Sequence, residues 1–181
     1  MNLWWLITSS VHCSYDELKR RQCVALGWAE IGSLEKYLKD KPGWERQFKT
    51  LVQVRGNLAY ARDKRWTETA SSLSGVPTLL WSLLQMRAGD FVVVMESGNQ
   101  LTLGRLEVRG ITQLTEDGMT SYSFEEGVHH AHQISKGLTW VDWDRAHLGE
   151  LEMPKQSFFS LLQDNEQLET IKLAWEQRRQ S

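Results

Sequence analysis

The chain has 181 residues, of which 41% are hydrophobic and 24% are charged, and its net charge is −2. This composition is typical of a globular domain and excludes intrinsic disorder over most of the chain. The longest apolar runs fall far short of the roughly 18 residues that a membrane-spanning helix needs. The small net charge hides a segregation: residues 1–65 carry 12 Lys/Arg and 7 Asp/Glu, whereas residues 66–181 carry 9 and 16.

The start of the chain, MNLWWLI, lacks the basic stretch and the small-residue cleavage site of a signal peptide. The two cysteines, Cys13 and Cys23, form no CxxC pair and are interpreted as reduced thiols. We therefore expect a cytoplasmic protein with no membrane segment.

The first 40 residues alternate between apolar and polar segments. Their apolar composition predicts buried strands over residues 2–9 and 23–30. The polar segment between them, residues 10–22, predicts a loop or a short helix. Ser33 is a candidate N-cap for a short helix over residues 34–40.

Two helices are predicted in the next stretch. Residues 44–64 form one long helix in this interpretation, because apolar residues such as Trp44 and Phe48 recur at three- and four-residue spacing. Residues 67–75 read as a polar linker. A second helix is expected over residues 77–87, because proline suits the first turn of a helix.

The periodicity then changes to that of strands. Residues 91–95 (FVVVM) predict a buried strand, which a turn at residues 97–99 joins to an alternating strand over 101–110. The remaining predictions are a strand pair around Asp117-Gly118 within 111–126, short strands over 131–134 and 138–143, and an amphipathic helix over about 156–178.

These elements predict an α+β class with a small curved β-sheet or a partly closed barrel, flanking helices and a C-terminal amphipathic helix. One domain is expected over residues 1–154, with a basic helical insertion at about residues 43–76. Residues 155–181 are predicted to form a helix that packs on this domain or serves association with a protein partner or a second copy.

Several short motifs occur in a characteristic order. They are the segment GWAEIG at residues 27–32, a helix that ends in Gly89-Asp90 before an apolar strand, Leu103-Gly104-Arg105-Leu106, Tyr122, His132 and the segment GLTWVDW at residues 137–143. In this order they resemble the EVE/PUA-like superfamily, of the kind associated with modification-dependent restriction, over roughly residues 22–145. The resemblance implies a small β-barrel that binds nucleic acid, with an aromatic pocket for an extruded and often modified base.

Such a pocket needs aromatic walls for stacking and polar groups for the edge of the base. Trp28 lies on the loop that matches the binding loop of the family, and Glu30 on the same loop could accept a hydrogen bond from an exocyclic amine. The alternative for each of the nine tryptophans is burial in the core. The predicted pocket residues are Trp28, Glu30, Ile31, Trp81, Arg105, His132 and Trp143.

The basic insertion supplies candidates for phosphate contacts, because Lys and Arg bind the backbone of nucleic acid whatever its sequence. These candidates are Arg55, Arg62, Lys64 and Arg65. The expected partner is therefore nucleic acid, with DNA favoured over RNA. The long insertion departs from the family pattern and could cover the pocket.

The sequence suggests three other functions. The run His129-His130-Ala131-His132 has no second cluster that would complete a zinc site, so no metal and no cofactor are expected. Asp90, Glu107 and Arg109 loosely resemble a nuclease centre but lack its lysine, and we expect no catalysis. The alternative function is a phage- or defence-linked interaction protein that uses the acidic region 116–152 to inhibit or partner a nucleic-acid enzyme.

Overall fold

A computed structural model describes residues 1–9, 12–97, 107–143, 159–162 and 165–179. The chain divides into two compact units, each built from separated stretches of sequence. Unit 1 comprises Met1–Gln22, Arg87–Glu116 and Gly137–Ser181, and unit 2 comprises Cys23–Met86 and Asp117–Lys136.

The described part of the chain alternates short strands and helices. In chain order they are β1 (Leu3–Ser9), α1 (Tyr15–Arg21), β2 (Val24–Leu26), α2 (Trp44–Ala59), α3 (Val76–Gln85), β3 (Phe91–Ser97), β4 (Glu107–Leu114), α4 (Gly118–Ser121), β5 (Tyr122–Phe124), β6 (His132–Ile134), β7 (Leu138–Asp142), β8 (Phe159–Leu162) and α5 (Asn165–Arg179). Unit 2 also contains 3₁₀ turns over Ala29–Ile31 and Glu35–Tyr37 and a π-helical turn over Trp66–Ala70.

Each unit has its own sheet. The sheet of unit 1 has the strand order β7-β4-β3-β1-β8, in which β1 and β3 are parallel and the other neighbours are antiparallel. The sheet of unit 2 is antiparallel, in the order β2-β6-β5. The α+β class is therefore confirmed. Neither sheet closes into a barrel among the described strands, so the barrel alternative is not what the structure shows.

The core of unit 1 follows from the two-residue period of its central strands. Alternate residues of β3, Phe91, Val93 and Met95, are buried together with Trp5 of β1. The C-terminal helix α5 covers this face, where the rings of Trp175 and Phe91 meet edge to face with centroids 5.5 Å apart. The aromatic contact and the apolar area that it buries stabilise the docking of the helix on the sheet.

The helix predicted over residues 44–64 ends at Ala59, and the linker predicted over residues 67–75 contains most of the π-helical turn Trp66–Ala70. Four further predicted segments differ from the structure. The long C-terminal helix begins at Asn165, and β8 occupies part of its predicted first turns, because Phe159–Leu162 pairs with the distant β1. The predicted strand pair around Asp117-Gly118 corresponds to the end of β4 and to β5, but these strands lie in different sheets and do not pair with each other. The one-turn helix α4 lies between them, and the backbone N–H of Gly118 donates to the carbonyl of Met86 at 2.8 Å.

The other two differences lie in unit 2. Only three residues of the predicted strand over 23–30 are extended, because the chain turns after β2 into the first 3₁₀ turn. The predicted helix over 34–40 is a single 3₁₀ turn. The predicted turn at 97–99 and most of the strand over 101–110 fall outside the described residues. No helix in the described ranges combines the length and apolar composition that crossing a bilayer requires.

Candidate functional site

The candidate site in unit 2 is built around the backbone of Trp28. This residue follows the end of β2 and has φ = 70° and ψ = 41°, the left-handed region. A residue with a side chain adopts this conformation at a cost of about 1–2 kcal/mol. The ring of Trp28 is half-buried, so deep burial of the indole does not account for the strain. Other contacts must therefore hold the backbone in this conformation.

The carbonyl of Trp28 is held by His132 of β6. The Nε2 atom of His132 lies 3.2 Å from this carbonyl oxygen, and its Nδ1 atom lies 2.7 Å from the hydroxyl of Tyr122. A carbonyl only accepts hydrogen bonds, so Nε2 of the neutral ring carries the proton and Nδ1 accepts from the Tyr122 hydroxyl. The hydroxyl oxygen in turn accepts from the backbone N–H of Leu34 at 3.4 Å. The relay thus links the Trp28 turn to β5, β6 and the segment after Gly32.

Burial fixes the protonation states in this relay. His132 is fully buried, and burial lowers its pKa from 6.5 to about 4. Burial also raises the pKa of the Tyr122 hydroxyl above its ordinary value of 10. Both groups are therefore neutral at pH 7, as the hydrogen-bond directions require.

An aromatic platform lies against the Trp28 ring. The centroids of Tyr60 and Trp66 are each 5.5 Å from that of Trp28, with interplanar angles of 88° and 63°. Trp66, the first residue of the π-helical turn, is fully buried against α2, and its Nε1 donates to the side-chain oxygen of Asn57 at 2.9 Å. Gly56 makes this packing possible, because a Cβ at that position would lie 2.0 Å from the Trp66 ring.

One charged side chain lies over the Trp28 ring, and others are exposed on neighbouring segments of the chain. The guanidinium carbon of Arg65 lies 5.7 Å from the ring centroid, a cation–π arrangement. Glu30 is exposed, and its backbone N–H donates to the hydroxyl of Tyr60 at 3.0 Å. Arg62 and Lys64 are exposed on the same segment, and Lys64 lies 3.8 Å from the carboxylate of Glu68.

Arg55 has a different role from the one that the sequence suggested. It is half-buried, its guanidinium donates to the carbonyl of Ser33 at 2.9 Å, and it lies over the ring of Tyr37. Arg55 therefore connects α2 to residues 29–37, the segment that contains both 3₁₀ turns (the 3₁₀ segment). This structural contact accounts for the residue, in place of the predicted phosphate contact.

The predicted pocket residues separate into three groups. Trp28 and Glu30 lie on one turn with exposed surface, as the sequence motif indicated. Ile31 and His132 are fully buried behind that turn, so they support it and cannot contact a base directly. Trp81 packs on Phe48 with centroids 5.2 Å apart.

The other two predicted pocket residues are Trp143 and Arg105. Trp143 belongs to unit 1 and is half-buried against the core of that unit. Arg105 lies outside the described residues. Sequence reasoning missed Tyr60 and Trp66 as parts of the site, and it named Tyr122 as a motif residue but not as a pocket residue. The two ring residues occur six positions apart, after the buried face of α2 has ended, so the helical period gave no signal for them.

The strand register separates the two carboxylates of the nuclease-like arrangement. Asp90 is fully buried and accepts hydrogen bonds from the backbone N–H of Asn2, the backbone N–H of Arg87 and the indole of Trp4. Glu107 pairs with Glu96 at the other end of β3, about 20 Å away at the usual rise per strand residue. These two carboxylates cannot share one metal ion.

The histidine run is divided in a similar way. His132 is committed to the buried relay, whereas the Nδ1 atoms of His129 and His130 lie 3.0 Å apart on the surface. Within the described ranges, no three His, Cys, Asp or Glu side chains are grouped in a way that could hold a metal ion.

Comparison with known proteins assigns neither a family nor a function to this chain. The chain matches no protein-family model, and it shows no significant match to a curated protein or to a solved structure.

Proposed function

We propose that unit 2 binds nucleic acid, with a base stacked on the exposed surface of Trp28. The observation that carries this proposal is a half-exposed tryptophan held in a left-handed conformation by a fully buried histidine. Backbone strain that the surrounding structure stabilises is common at binding sites. An indole fixed before the ligand arrives also loses less conformational entropy on binding.

The neighbouring side chains supply the other two requirements of base recognition. Glu30 is an exposed acceptor on the same turn and could bind an exocyclic amino group. A base that stacks on Trp28 takes the position of the Arg65 guanidinium, which then moves to the adjacent phosphate. Arg62 and Lys64 extend the same positive surface.

We assign the finer features of this function from the resemblance of the motifs to the EVE/PUA-like superfamily. They are an extruded base, often modified, and a preference for DNA over RNA. The left-handed conformation of Trp28 supports this assignment. Trp28 lies in the GWAEIG turn, which is the motif that carries the stacking residue in this interpretation.

The test measures binding of labelled oligonucleotides by fluorescence anisotropy at low salt. The set contains unmodified, cytosine-modified and adenine-modified single strands and duplexes. Trp28→Ala should weaken binding of the preferred oligonucleotide by about 1–3 kcal/mol, the usual contribution of one aromatic–base stack. Trp81→Ala is the matched control, because it removes a half-buried indole of the same unit that packs on Phe48.

Two results would contradict the proposal. Equal losses from Trp28→Ala and Trp81→Ala would mean that both act through folding. The absence of binding to every oligonucleotide at low salt would favour the alternative of a protein-interaction function. Replacing Arg62 and Lys64 by Gln should weaken binding to all sequences alike and reduce the salt dependence, because phosphate contacts carry no base information.

A further inference from the structure

Unit 2 carries a second aromatic surface with cations beside it, far along the chain from Trp28. Trp44 is the first residue of α2 and is half-buried, and the amino group of Lys39 lies 4.6 Å from the centroid of its ring. The indole N–H of Trp44 donates to the carbonyl of Tyr37 at 2.9 Å, which fixes the ring. The guanidinium of Arg55 lies 5.7 Å from the ring centroid of Tyr37. This surface is not explained by the site around Trp28.

The length of α2 sets the spacing between the two aromatic surfaces. Trp44 begins the helix, whereas Tyr60, which contacts the Trp28 ring, caps its C-terminal end. With 1.5 Å of rise per residue, the two ends are about 24 Å apart. A distance of this size is far too long for a single base to contact both surfaces.

The 3₁₀ segment joins the two surfaces along the helix. Its N-terminal part contacts Tyr60 through the backbone N–H of Glu30, and its middle is fastened to Arg55 through the carbonyl of Ser33. Lys36 and Lys39 are exposed toward its far end. Over residues 28–65, nine Lys/Arg stand against five Asp/Glu, which leaves a net positive charge along this path.

We propose that the ligand of unit 2 is a stretch of single-stranded nucleic acid that spans both surfaces, with one base on Trp28 and another on Trp44. This inference rests on the proposed function and extends it from a lone extruded base to a strand. At the 3.4 Å spacing of stacked nucleotides, 24 Å corresponds to about seven nucleotides. A basic path with stacking rings at intervals is the arrangement by which proteins hold single strands.

The experiment measures the affinity of single-stranded homopolymers from two to twelve nucleotides by fluorescence anisotropy. The affinity of the unaltered protein should rise with length up to about seven nucleotides and then level off. Trp44→Ala should weaken binding of an eight-nucleotide strand about tenfold, the effect of one lost base stack. The same substitution should change the binding of a dinucleotide about twofold or less, because Trp28 remains available to it.

Lys39→Gln provides a variant that does not depend on the packing of Trp44, since Lys39 is exposed. It should reduce the salt dependence for the eight-nucleotide strand by about one released counterion and leave that of the dinucleotide unchanged. Trp81→Ala remains the control for loss of an indole in unit 2. Thermal unfolding of each variant shows whether its effect on binding comes from loss of folded protein.

The outcomes separate this inference from the proposed function. If Trp28→Ala weakens binding but Trp44→Ala and Lys39→Gln leave the eight-nucleotide strand unaffected, the second surface is wrong and the function stands. A duplex with one extruded base that binds more tightly than every single strand would also overturn the inference. If no oligonucleotide binds at low salt, both proposals fail.

Discussion

Acid should destabilise the protein through one buried histidine. Burial lowers the pKa of His132 from 6.5 to about 4, and the nearby positive charge of Arg55 acts in the same direction, whereas the hydrogen bond to the carbonyl of Trp28 opposes it. Between these two pH values the unfolded chain binds a proton that the folded chain does not. The contribution of neutral His132 is therefore intact above pH 6.5 and is lost as the pH falls toward about 4.

The size of the effect follows from the same two values. The difference between 6.5 and about 4 corresponds to about 3 kcal/mol in the free energy of unfolding. This is a large share of the roughly 5–15 kcal/mol that stabilises a typical domain.

Urea denaturation at a series of pH values from 7.5 to 4 tests this reasoning. His132→Gln keeps an N–H that can donate to the carbonyl of Trp28 but cannot take up a proton. The unaltered protein should lose about 3 kcal/mol more stability than this variant over the series. His12→Gln, at an exposed position, should follow the unaltered protein.

The comparison also removes the effect of other acid-sensitive groups. Asp142 has a lowered pKa, first because Lys19 and then because Tyr15 donates hydrogen bonds to it, so its stabilising contribution is also lost in acid. That loss is common to the protein and the His132→Gln variant and cancels in the difference. Parallel stability curves for the two would show that His132 is not the group that responds to acid, and would refute the assigned hydrogen-bond directions.

Two further predictions concern packing and buried charge. Gly56→Ala should lower the free energy of unfolding by about 2 kcal/mol, because its Cβ would lie 2.0 Å from the ring of Trp66. Gly27→Ala is the control and should change the free energy of unfolding little, because the nearest atom to its Cβ would be 3.5 Å away. Equal urea midpoints for the two variants would contradict the packing of Trp66 on Gly56. Asp90→Ala should cost more than about 3 kcal/mol, because it removes a fully buried acceptor and leaves three donors, among them the buried indole of Trp4, without it. Asp16→Ala, at an exposed position, should stay within about 0.5 kcal/mol, and a similar small loss for both would show that Asp90 is not a structural acceptor.

The elements that the sequence predicted well are those with a strong local signal. The buried run at residues 91–95 is the centre of β3, and the apolar spacing of residues 44–64 marks the start of α2 at Trp44. Pro77 lies in the first turn of α3, as its fixed φ favours. Each of these signals acts within one element and needs no knowledge of its partners.

The elements that were predicted wrongly depend on distant contacts. The apolar residues of β8 fit a helical stripe as well as a strand, and only their pairing with β1 decides between the two. At Gly118 the chain forms a helical turn between strands of different sheets, at a position where a Cβ would lie 2.6 Å from the carbonyl oxygen of Leu83. Neither partner can be read from the local pattern.

The site shows the same division at the level of single residues. The motif GWAEIG pointed to Trp28 and Glu30, and the structure places both at an exposed turn. The same reasoning placed His132 in the pocket beside them, although its two nitrogens are used by the backbone of Trp28 and the hydroxyl of Tyr122. Sequence alone shows that a histidine is present but not which of its neighbours takes its hydrogen bonds.

The conformation and partial exposure of Trp28 support the proposed binding role over a purely structural one. A turn whose only task is to reverse the chain would place glycine at φ = 70°, since glycine adopts that conformation without strain. A tryptophan whose only task is to fill the core would be fully buried, as Trp66 is. Trp28 meets neither condition: it carries the strain of a side chain in the left-handed region and leaves part of its ring in solvent. The buried relay through His132 offsets that strain, and a stacking ligand would give the exposed indole the contact that the fold does not.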